Sequence, residues 1–201
     1  MGESFNCGYV AIVGRPNAGK STLINALVGE KVSIVAPSPQ TTRSRILGVA
    51  NRPQAQAIFM DTPGIHKPAS RLTQQMMAFV RQALENRDLT LLVADASASF
   101  GKGDLFAVEL LREYRARSIL ALNKIDAIRK PRLLPLMARY SKLYEFEEIF
   151  PVSALKGDGL EDLLGAVTRR LPEGPPVFPP DFYTDQPERF LAGEIIREKL
   201  I

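Results

Sequence analysis

Cysteine and long apolar runs are scarce in this chain of 201 residues. The single cysteine, Cys7, excludes an internal disulfide framework and is typical of a protein kept in a reducing compartment. No apolar run reaches the length of a membrane span, and the N-terminal residues lack the positively charged segment of a secretory signal. These absences predict a cytoplasmic protein.

A strong excess of one charge is also lacking. The formal net charge of +4 is compatible with an acidic partner such as RNA but is too small to establish one. Hydrophobic residues make up 45% of the chain and charged residues 24%, an ordinary composition for a soluble globular protein. The length is enough for one full domain and the beginning of a second.

The loop GRPNAGKS, which begins at Gly14, is the most informative stretch that is present. It follows the apolar run Val10–Val13, a predicted strand, and precedes a predicted helix over Thr22–Val28. Its glycines let backbone N–H groups approach a phosphate at the positive end of that helix. The Lys20 ammonium would contact the β- and γ-phosphates, and the Ser21 hydroxyl would bind Mg²⁺. The predicted nucleotide-binding residues here are Gly14, Arg15, Pro16, Asn17, Ala18, Gly19, Lys20, Ser21 and Thr22.

Strand-like and helix-like segments alternate along the chain, and this alternation predicts an α/β fold. A mostly parallel, six-stranded sheet with helices on both faces binds ligands at the carboxyl ends of its strands. A tight turn at Arg52-Pro53 would make the second and third strands antiparallel. The further predicted strands are Arg45–Asn51, Ala55–Met60, Leu89–Ala94, Ser118–Leu122 and Glu148–Val152, and the further helices are Leu72–Asn86, Asp104–Tyr114, Arg132–Tyr144 and the run from Leu160 to Leu171.

Two further loops supply oxygen ligands for a metal ion. The sequence DTPG begins at Asp61, whose carboxylate would hold Mg²⁺ through a water molecule. Gly64 would bring its backbone N–H close to a γ-phosphate, so that the following segment orders with the triphosphate. In the loop QTTR a threonine hydroxyl would complete the Mg²⁺ shell, and we favour Thr42 over Thr41. The predicted metal ligands are Ser21, Thr42 and Asp61, and the residues Asp61, Thr62, Pro63 and Gly64 join the nucleotide-binding set.

The sequence NKID, which starts at Asn123, selects the base. The Asp126 carboxylate can accept hydrogen bonds from both N1–H and the N2 amino group of guanine, whereas adenine offers neither donor there. Asn123 either bonds the base or braces the phosphate loop, and the aliphatic part of Lys124 would cover the ring. The pair Ser153 and Ala154 would present a backbone N–H to guanine O6.

The composition changes near residue 172. The proline-rich segment Glu173–Pro180 predicts a stiff, extended linker that leads away from the first domain. Glu188–Ile201 has an amphipathic helical pattern that either packs back on the first domain or begins a second one, and we favour the second alternative. The predicted domains are residues 1–172 and 173–201.

Taken together, GRPNAGKS, QTTR, DTPGIHKP, NKID and SAL resemble the motifs of the translation-factor-related GTPases. Within that group the chain resembles the Era family, through SPQTTRSRILG, DTPGIHKP and the tail FPPDFYTDQPERFLAGEIIREKL. This resemblance covers essentially the whole chain. It implies a P-loop GTPase that binds GTP, GDP and Mg²⁺, with residues 173–201 as the linker and first helix of a KH-type domain.

The resemblance also implies partners. These are the small-subunit 16S ribosomal RNA near its 3′ end and the 30S precursor, bound through the KH domain. The resemblance further implies peripheral contact of the protein with the inner face of the cell membrane. We expect a monomer without a DNA partner. One alternative is a low-turnover, GTP-gated RNA-binding scaffold. Another is a related GTPase of tRNA modification or ribosome assembly, and the tail argues against this second alternative.

Two positions bear on the rate of GTP hydrolysis. Ile65 stands where many switch GTPases carry a water-orienting glutamine, so intrinsic hydrolysis should be slow or should rely on another group. Asn17 either holds a monovalent cation such as K⁺ beside the phosphates or only caps the loop. His66 is predicted to be a solvent-facing loop residue. The candidate catalytic residues are Lys20, Thr42, Gly64 and Asn17.

Overall fold

A computed structural model describes residues 4–33, 46–65 and 70–187, together with the single positions 189, 193 and 196. Strands and helices alternate throughout this part of the chain. The strands are β1 (Asn6–Gly14), β2 (Ile46–Arg52), β3 (Ala55–Asp61), β4 (Leu89–Asp95), β5 (Ser118–Asn123) and β6 (Ile149–Pro151). The α-helices are α1 (Lys20–Val28), α2 (Arg71–Glu85), α3 (Lys102–Glu113), α4 (Leu133–Leu143) and α5 (Leu160–Thr168).

The six strands form one sheet in the order β2-β3-β1-β4-β5-β6. β2 and β3 pair antiparallel as a hairpin, and all other neighbours are parallel. Because β1 lies between β3 and β4, the strand order reverses at its carboxyl end. Open α/β sheets bind their ligands at this kind of position.

Helices cover both faces of the sheet. On one face α1 and α5 pack with Val10 and Ile12 of β1, and on the other α2, α3 and α4 pack with Ala11 and Val13. The alternation follows from the strand period of two, which directs successive side chains to opposite faces. Two apolar cores therefore hold the carboxyl edge of the sheet in place.

The predicted six-stranded α/β fold is confirmed, and the strand ends differ in detail. β3 and β5 each run one residue further than predicted, because Asp61 pairs with Ile12 of β1 and Asn123 pairs with Asp95 of β4. Both polar residues are thus held by sheet pairing rather than by loops. Within the described residues, no helix is both long and apolar enough to cross a membrane.

The segment after α5 differs from the predicted linker. Residues 173–185, here called the edge segment, do not lead away from the domain. The segment starts beside Asn6 of β1, and residues 183–185 run along the outer strand β2. The Val49 N–H donates to the Tyr183 carbonyl at 2.9 Å, and the Thr184 hydroxyl donates to the Leu47 carbonyl at 2.8 Å. The physical reason is that an edge strand has unpaired backbone groups, which an extended chain satisfies.

One buried side chain binds the middle of the edge segment, at Val177 and Phe178. Gln56 Oε1 accepts from the backbone N–H groups of Val177 and Phe178, both at 2.9 Å, and Gln56 Nε2 donates to the Phe178 carbonyl at 2.9 Å. The Phe178 and Phe182 rings stack with centroids 4.4 Å apart. The predicted helix over 188–201 lies outside the described residues, apart from the three single positions.

Candidate nucleotide-binding site

The phosphate loop, residues 14–19, connects the carboxyl end of β1 to the start of α1. Gly19 precedes the helix with a φ of 89°, a left-handed conformation that glycine adopts without strain. A Cβ at this position would lie 2.3 Å from Asn123 Nδ2. The close approach of Asn123 therefore requires glycine at this position. Since α1 begins at the next residue, its positive end faces the loop, where a phosphate is favoured.

Lys20 lies beneath the loop and is 7% exposed. Its ammonium donates to the carbonyl oxygens of Gly14 and Arg15, both at 3.3 Å. Burial lowers the pKa of Lys20 to about 8, and the nearby Asp61 carboxylate opposes this shift. An anionic phosphate would supply the counter-charge that favours the protonated form.

Two of the predicted metal ligands lie in direct contact. The Asp61 side chain is fully buried, and its Oδ2 accepts a hydrogen bond from the Ser21 hydroxyl at 3.0 Å. Ser33 donates to the same oxygen at 2.6 Å. Hydroxyl and carboxylate oxygens are the hard ligands that Mg²⁺ prefers. The third predicted ligand, Thr42, lies outside the described residues, as do Thr41 and His66.

Ser33 is a residue of this site that the sequence analysis missed. It lies between the predicted helix Thr22–Val28 and the predicted strand Arg45–Asn51, and its side chain is buried. Asn25 of α1 holds it there, since Asn25 Oδ1 accepts from the backbone N–H groups of Val32 and Ser33 at 3.0 and 2.9 Å. The available signal was Asn25 itself, a polar residue within an otherwise apolar helical run.

The DTPG segment is fastened to the phosphate loop. The Thr62 hydroxyl donates to the Ile12 carbonyl at 2.7 Å, and the Ile65 N–H donates to the Gly14 carbonyl at 3.0 Å. Gly64 lies so close to Pro16 that a Cβ would come within 2.8 Å of its backbone. The Ile65 side chain is buried in the apolar core. The segment therefore presents backbone groups, not the Thr62 or Ile65 side chains, to the loop.

The Asn123 side chain joins the phosphate loop to the base-reading loops. Its Nδ2 donates to the Ala18 carbonyl at 3.0 Å, and its Oδ1 accepts from the backbone N–H of Ala154 at 3.0 Å. Of the two predicted roles, this geometry is that of a brace for the phosphate loop. The Ala154 N–H predicted for guanine O6 is directed here to Asn123.

Lys124 and Asp126 extend the same arrangement. The Lys124 ammonium lies 2.6 Å from the Asn17 carbonyl and 2.6 Å from Asp95 Oδ2. The exposed Asp126 carboxylate accepts from the Ser153 hydroxyl at 2.6 Å. Ser153 thereby orients the carboxylate that is predicted to read guanine.

Asp95, the last residue of β4, is a second residue that the sequence analysis missed. Burial by itself raises the pKa of Asp95, but hydrogen bonds from Lys124 and Ser97 outweigh it and hold the pKa below its usual range. A charged Asp95 fixes the Lys124 side chain. The available signal was an acidic residue directly after the predicted strand Leu89–Ala94, the strand that precedes the NKID strand along the chain.

The side chains of Arg15 and Asn17, both in the phosphate loop, point to different surroundings. The Arg15 guanidinium points away from the loop to Asp104 of α3, at 2.7 Å, so that Arg15 contributes its backbone to the site. Asn17 is exposed and has a φ of 60°. Its amide side chain is therefore available at the mouth of the loop.

Comparison with known proteins identifies similar chains. A family model described as a 50S ribosome-binding GTPase matches residues 9–124. The chain is 49% identical over 197 residues to the GTPase Era of Syntrophus aciditrophicus and 46% identical over 198 residues to that of Geotalea uraniireducens. Each match covers 98% of this chain, which spans 64% and 67% of the length of these relatives.

Two solved structures are similar over nearly the same range. One is a variant of Aquifex aeolicus Era bound to GDP and AlF4⁻, with a TM-score of 0.89 and 44% identity. The other is an Era in complex with MgGDPNP and nucleotides 1506–1542 of 16S ribosomal RNA, with a TM-score of 0.89 and 45% identity. Each match covers 97% of this chain and 67% of the solved chain.

Proposed function

This chain belongs to the Era family of GTPases, and we propose on that premise that it is a molecular switch that binds GTP and hydrolyses it to GDP and phosphate. The observation that carries the proposal is the Asn123 side chain, which contacts both Ala18 and Ala154 at 3.0 Å. Residues suited to phosphates and residues suited to guanine are thereby held as one site at the carboxyl edge of the sheet.

The phosphate subsite consists of backbone amides and one lysine. Asn123 approaches Gly19 too closely for any side chain at the start of α1, and the buried Lys20 ammonium donates to the Gly14 and Arg15 carbonyls of the loop. We assign residues 14–22 to the nucleotide's phosphates. We assign Asp61, Thr62, Pro63 and Gly64 to the side of the γ-phosphate. Thr62 contributes by holding this segment to β1 through its hydrogen bond to the Ile12 carbonyl.

The donor set at Asp61 fits Mg²⁺, because buried hydroxyl and carboxylate oxygens meet there. We assign Ser21, Thr42 and Asp61 to hold the ion. When bound, Mg²⁺ neutralises negative charge on the β- and γ-phosphates. Ser33 contacts the same carboxylate oxygen and fixes its orientation.

The base subsite discriminates by hydrogen-bond donors. Asp126 accepts from guanine N1–H and the N2 amino group, and Ser153 keeps its carboxylate in place. The Lys124 stem covers the base while its ammonium stays on Asn17 and Asp95. Adenine would leave the carboxylate without a hydrogen-bond donor. The site should therefore prefer guanine over adenine by a factor on the order of 10⁴.

In hydrolysis, water attacks the γ-phosphorus and the bond to the oxygen that bridges the β-phosphorus breaks. Lys20 and the Gly64 N–H stabilise the charge that develops on the phosphate oxygens. Ile65 is 3% exposed and its side chain cannot orient water, so we expect slow turnover by this chain alone. Asn17, by holding K⁺, and Thr42, by holding Mg²⁺, complete the proposed catalytic set.

The wider role is proposed from the relatives. The Era bound to a 16S ribosomal RNA fragment supports small-subunit ribosomal RNA as the partner. We propose that residues 1–172 form the GTP-binding domain and that residues 173–201 are a linker and the start of a KH-type domain that binds the 30S precursor during ribosome assembly. We place the chain in the cytoplasm as a monomer without a DNA partner, with peripheral contact at the inner face of the membrane.

Competition binding and phosphate release test the proposed activity. With Mg²⁺ present, we expect unlabelled GTP and GDP to displace a fluorescent GDP analogue, and ATP to fail at comparable concentrations. Equal competition by ATP, or no binding of either nucleotide, would overturn the proposal. Retained GTP binding without multiple-turnover phosphate release would instead favour the GTP-gated scaffold, which the burial of Ile65 supports.

A further inference from the structure

One segment of the chain is strongly basic and contains no acidic residue. Residues 127–144 contain five Lys and Arg and no Asp or Glu. Taking these five from the total of 26 Lys and Arg leaves 21 in the rest of the chain, against 22 Asp and Glu. The segment therefore carries a net charge of +5, and without it the rest of the chain is close to neutral. We call the five residues the basic face: Arg129, Lys130, Arg132, Arg139 and Lys142.

The five side chains are exposed on α4 and on the turn before it, and Arg132, Arg139 and Lys142 share one side of the helix. At 100° per residue, Arg139 lies about 20° and Lys142 about 80° from Arg132 around the helix axis. At 1.5 Å per residue this row is about 15 Å long. The basic face begins three residues after Asp126 along the chain.

Few groups on neighbouring elements offset this charge. In the part of the chain that the structure describes, none of the five forms a salt bridge. Arg139 stacks on the Phe100 ring at 4.4 Å. Asp104 of α3, which contacts α4 through Tyr140, is buried and already paired with Arg15. The cations are thus free to meet an external anion.

We propose that the basic face binds the phosphate backbone of RNA without reading its sequence. Such binding gains free energy from the counterions that each neutralised phosphate releases. A membrane is a poorer match, because a helix that lies on lipid needs an exposed apolar side. The apolar side of α4 packs on the core, and the exposed large apolar side chain of α4 is Leu134. The inference rests on RNA being the partner and adds a second contact surface to the proposed function.

Fluorescence anisotropy with a short, labelled single-stranded RNA of mixed sequence tests this surface. The whole chain is saturated with GDP and Mg²⁺ and titrated at several KCl concentrations. The test variant carries Arg132→Glu, Arg139→Glu and Lys142→Glu. The matched control carries Arg71→Glu, Arg81→Glu and Arg169→Glu, three exposed positions on α2 and at the end of α5 that change the net charge equally.

We expect the test variant to lose at least about tenfold in RNA affinity and to reduce the salt slope by about two units. The control should lose less than about threefold. Equal losses in both variants, no loss in the test variant, or stronger binding of phosphatidylglycerol vesicles than of RNA through these residues would overturn the inference. GDP binding in the same samples reports whether each variant is folded. If the test variant does not bind GDP, a variant with Arg132→Gln, Arg139→Gln and Lys142→Gln takes its place.

The same titrations separate the two proposals. If the unmodified chain does not bind GDP, the proposed GTPase function fails whatever the RNA result. If GDP binds normally and the basic face proves irrelevant, only the present inference fails.

Discussion

The Arg15 guanidinium lies 2.7 Å from Asp104 Oδ2, which ties the phosphate loop to the first turn of α3. Asp104 is buried, and its Oδ1 accepts from the Tyr140 hydroxyl of α4 at 3.0 Å. Burial, together with the Asp104 carboxylate, raises the pKa of Tyr140 above its usual range, so its hydroxyl remains a donor. One carboxylate thus connects the phosphate loop with two helices.

Asp104→Asn should therefore weaken the fold and the phosphate loop together. The change leaves the Arg15 guanidinium without its counter-charge, and we expect the free energy of unfolding to fall by about 2 kcal/mol. Affinity for GDP should fall severalfold. Urea denaturation and a GDP titration measure the two effects. Glu109→Gln, an exposed change on the same helix, serves as the control, and an equal effect there would contradict the explanation.

GDP affinity should depend on pH through Lys20. Its pKa is lowered to about 8 in the folded protein, whereas bound phosphates favour the ammonium. Affinity is therefore complete below about pH 8 and falls above it, by up to about tenfold per pH unit until the pKa of the bound state is reached. Titrations across this range measure the fall. Lys20→Arg, whose guanidinium stays protonated, should remove it, and a wild-type affinity that does not change with pH would refute the assignment.

Asp126→Asn should change the base preference. The amide that replaces the carboxylate donates where the carboxylate accepted, so we expect GTP to bind more weakly and xanthosine triphosphate to bind more tightly. Competition between the two nucleotides measures the change. Asp158→Asn, an exposed change in the loop that follows Ser153, should leave the preference for guanine intact. An unchanged preference in Asp126→Asn would remove that residue from the base subsite.

Hydrolysis should be faster in K⁺ than in Na⁺. Asn17 is exposed at the mouth of the phosphate loop, where its carboxamide oxygen can hold a monovalent cation beside the phosphates. Multiple-turnover phosphate release in each salt measures the difference, and Asn17→Ala should abolish it while GDP still binds. Equal rates in both salts would leave Asn17 with the role of a loop cap.

Gln56→Leu should release the edge segment. The change leaves the backbone N–H groups of Val177 and Phe178 without their acceptor and is expected to cost about 1–3 kcal/mol of unfolding free energy. Amide hydrogen exchange at these two residues should accelerate. Gln54→Leu, an exposed change in the β2–β3 turn, is the control. Unchanged protection at Val177 and Phe178 would show that other contacts hold the segment.

The motifs and the α/β fold could be predicted from the sequence because both are local properties of the chain. Apolar runs with strand or helix periodicity give the order of elements, and parallel strands bring their carboxyl ends to one edge. Lys20, Asp61 and Asn123 follow directly from that logic. The Era family was also predictable, since its motifs occupy short contiguous stretches.

Contacts between distant parts of the chain were decided only by the tertiary structure. The choice of the brace between the two predicted roles of Asn123, the burial of Ser33 and the course of the edge segment each depend on residues that meet across the fold. The predicted linker shows the reason most clearly. Its proline-rich composition specifies an extended backbone, but the partner of that backbone is set by the unpaired groups of β2 and by the buried amide of Gln56.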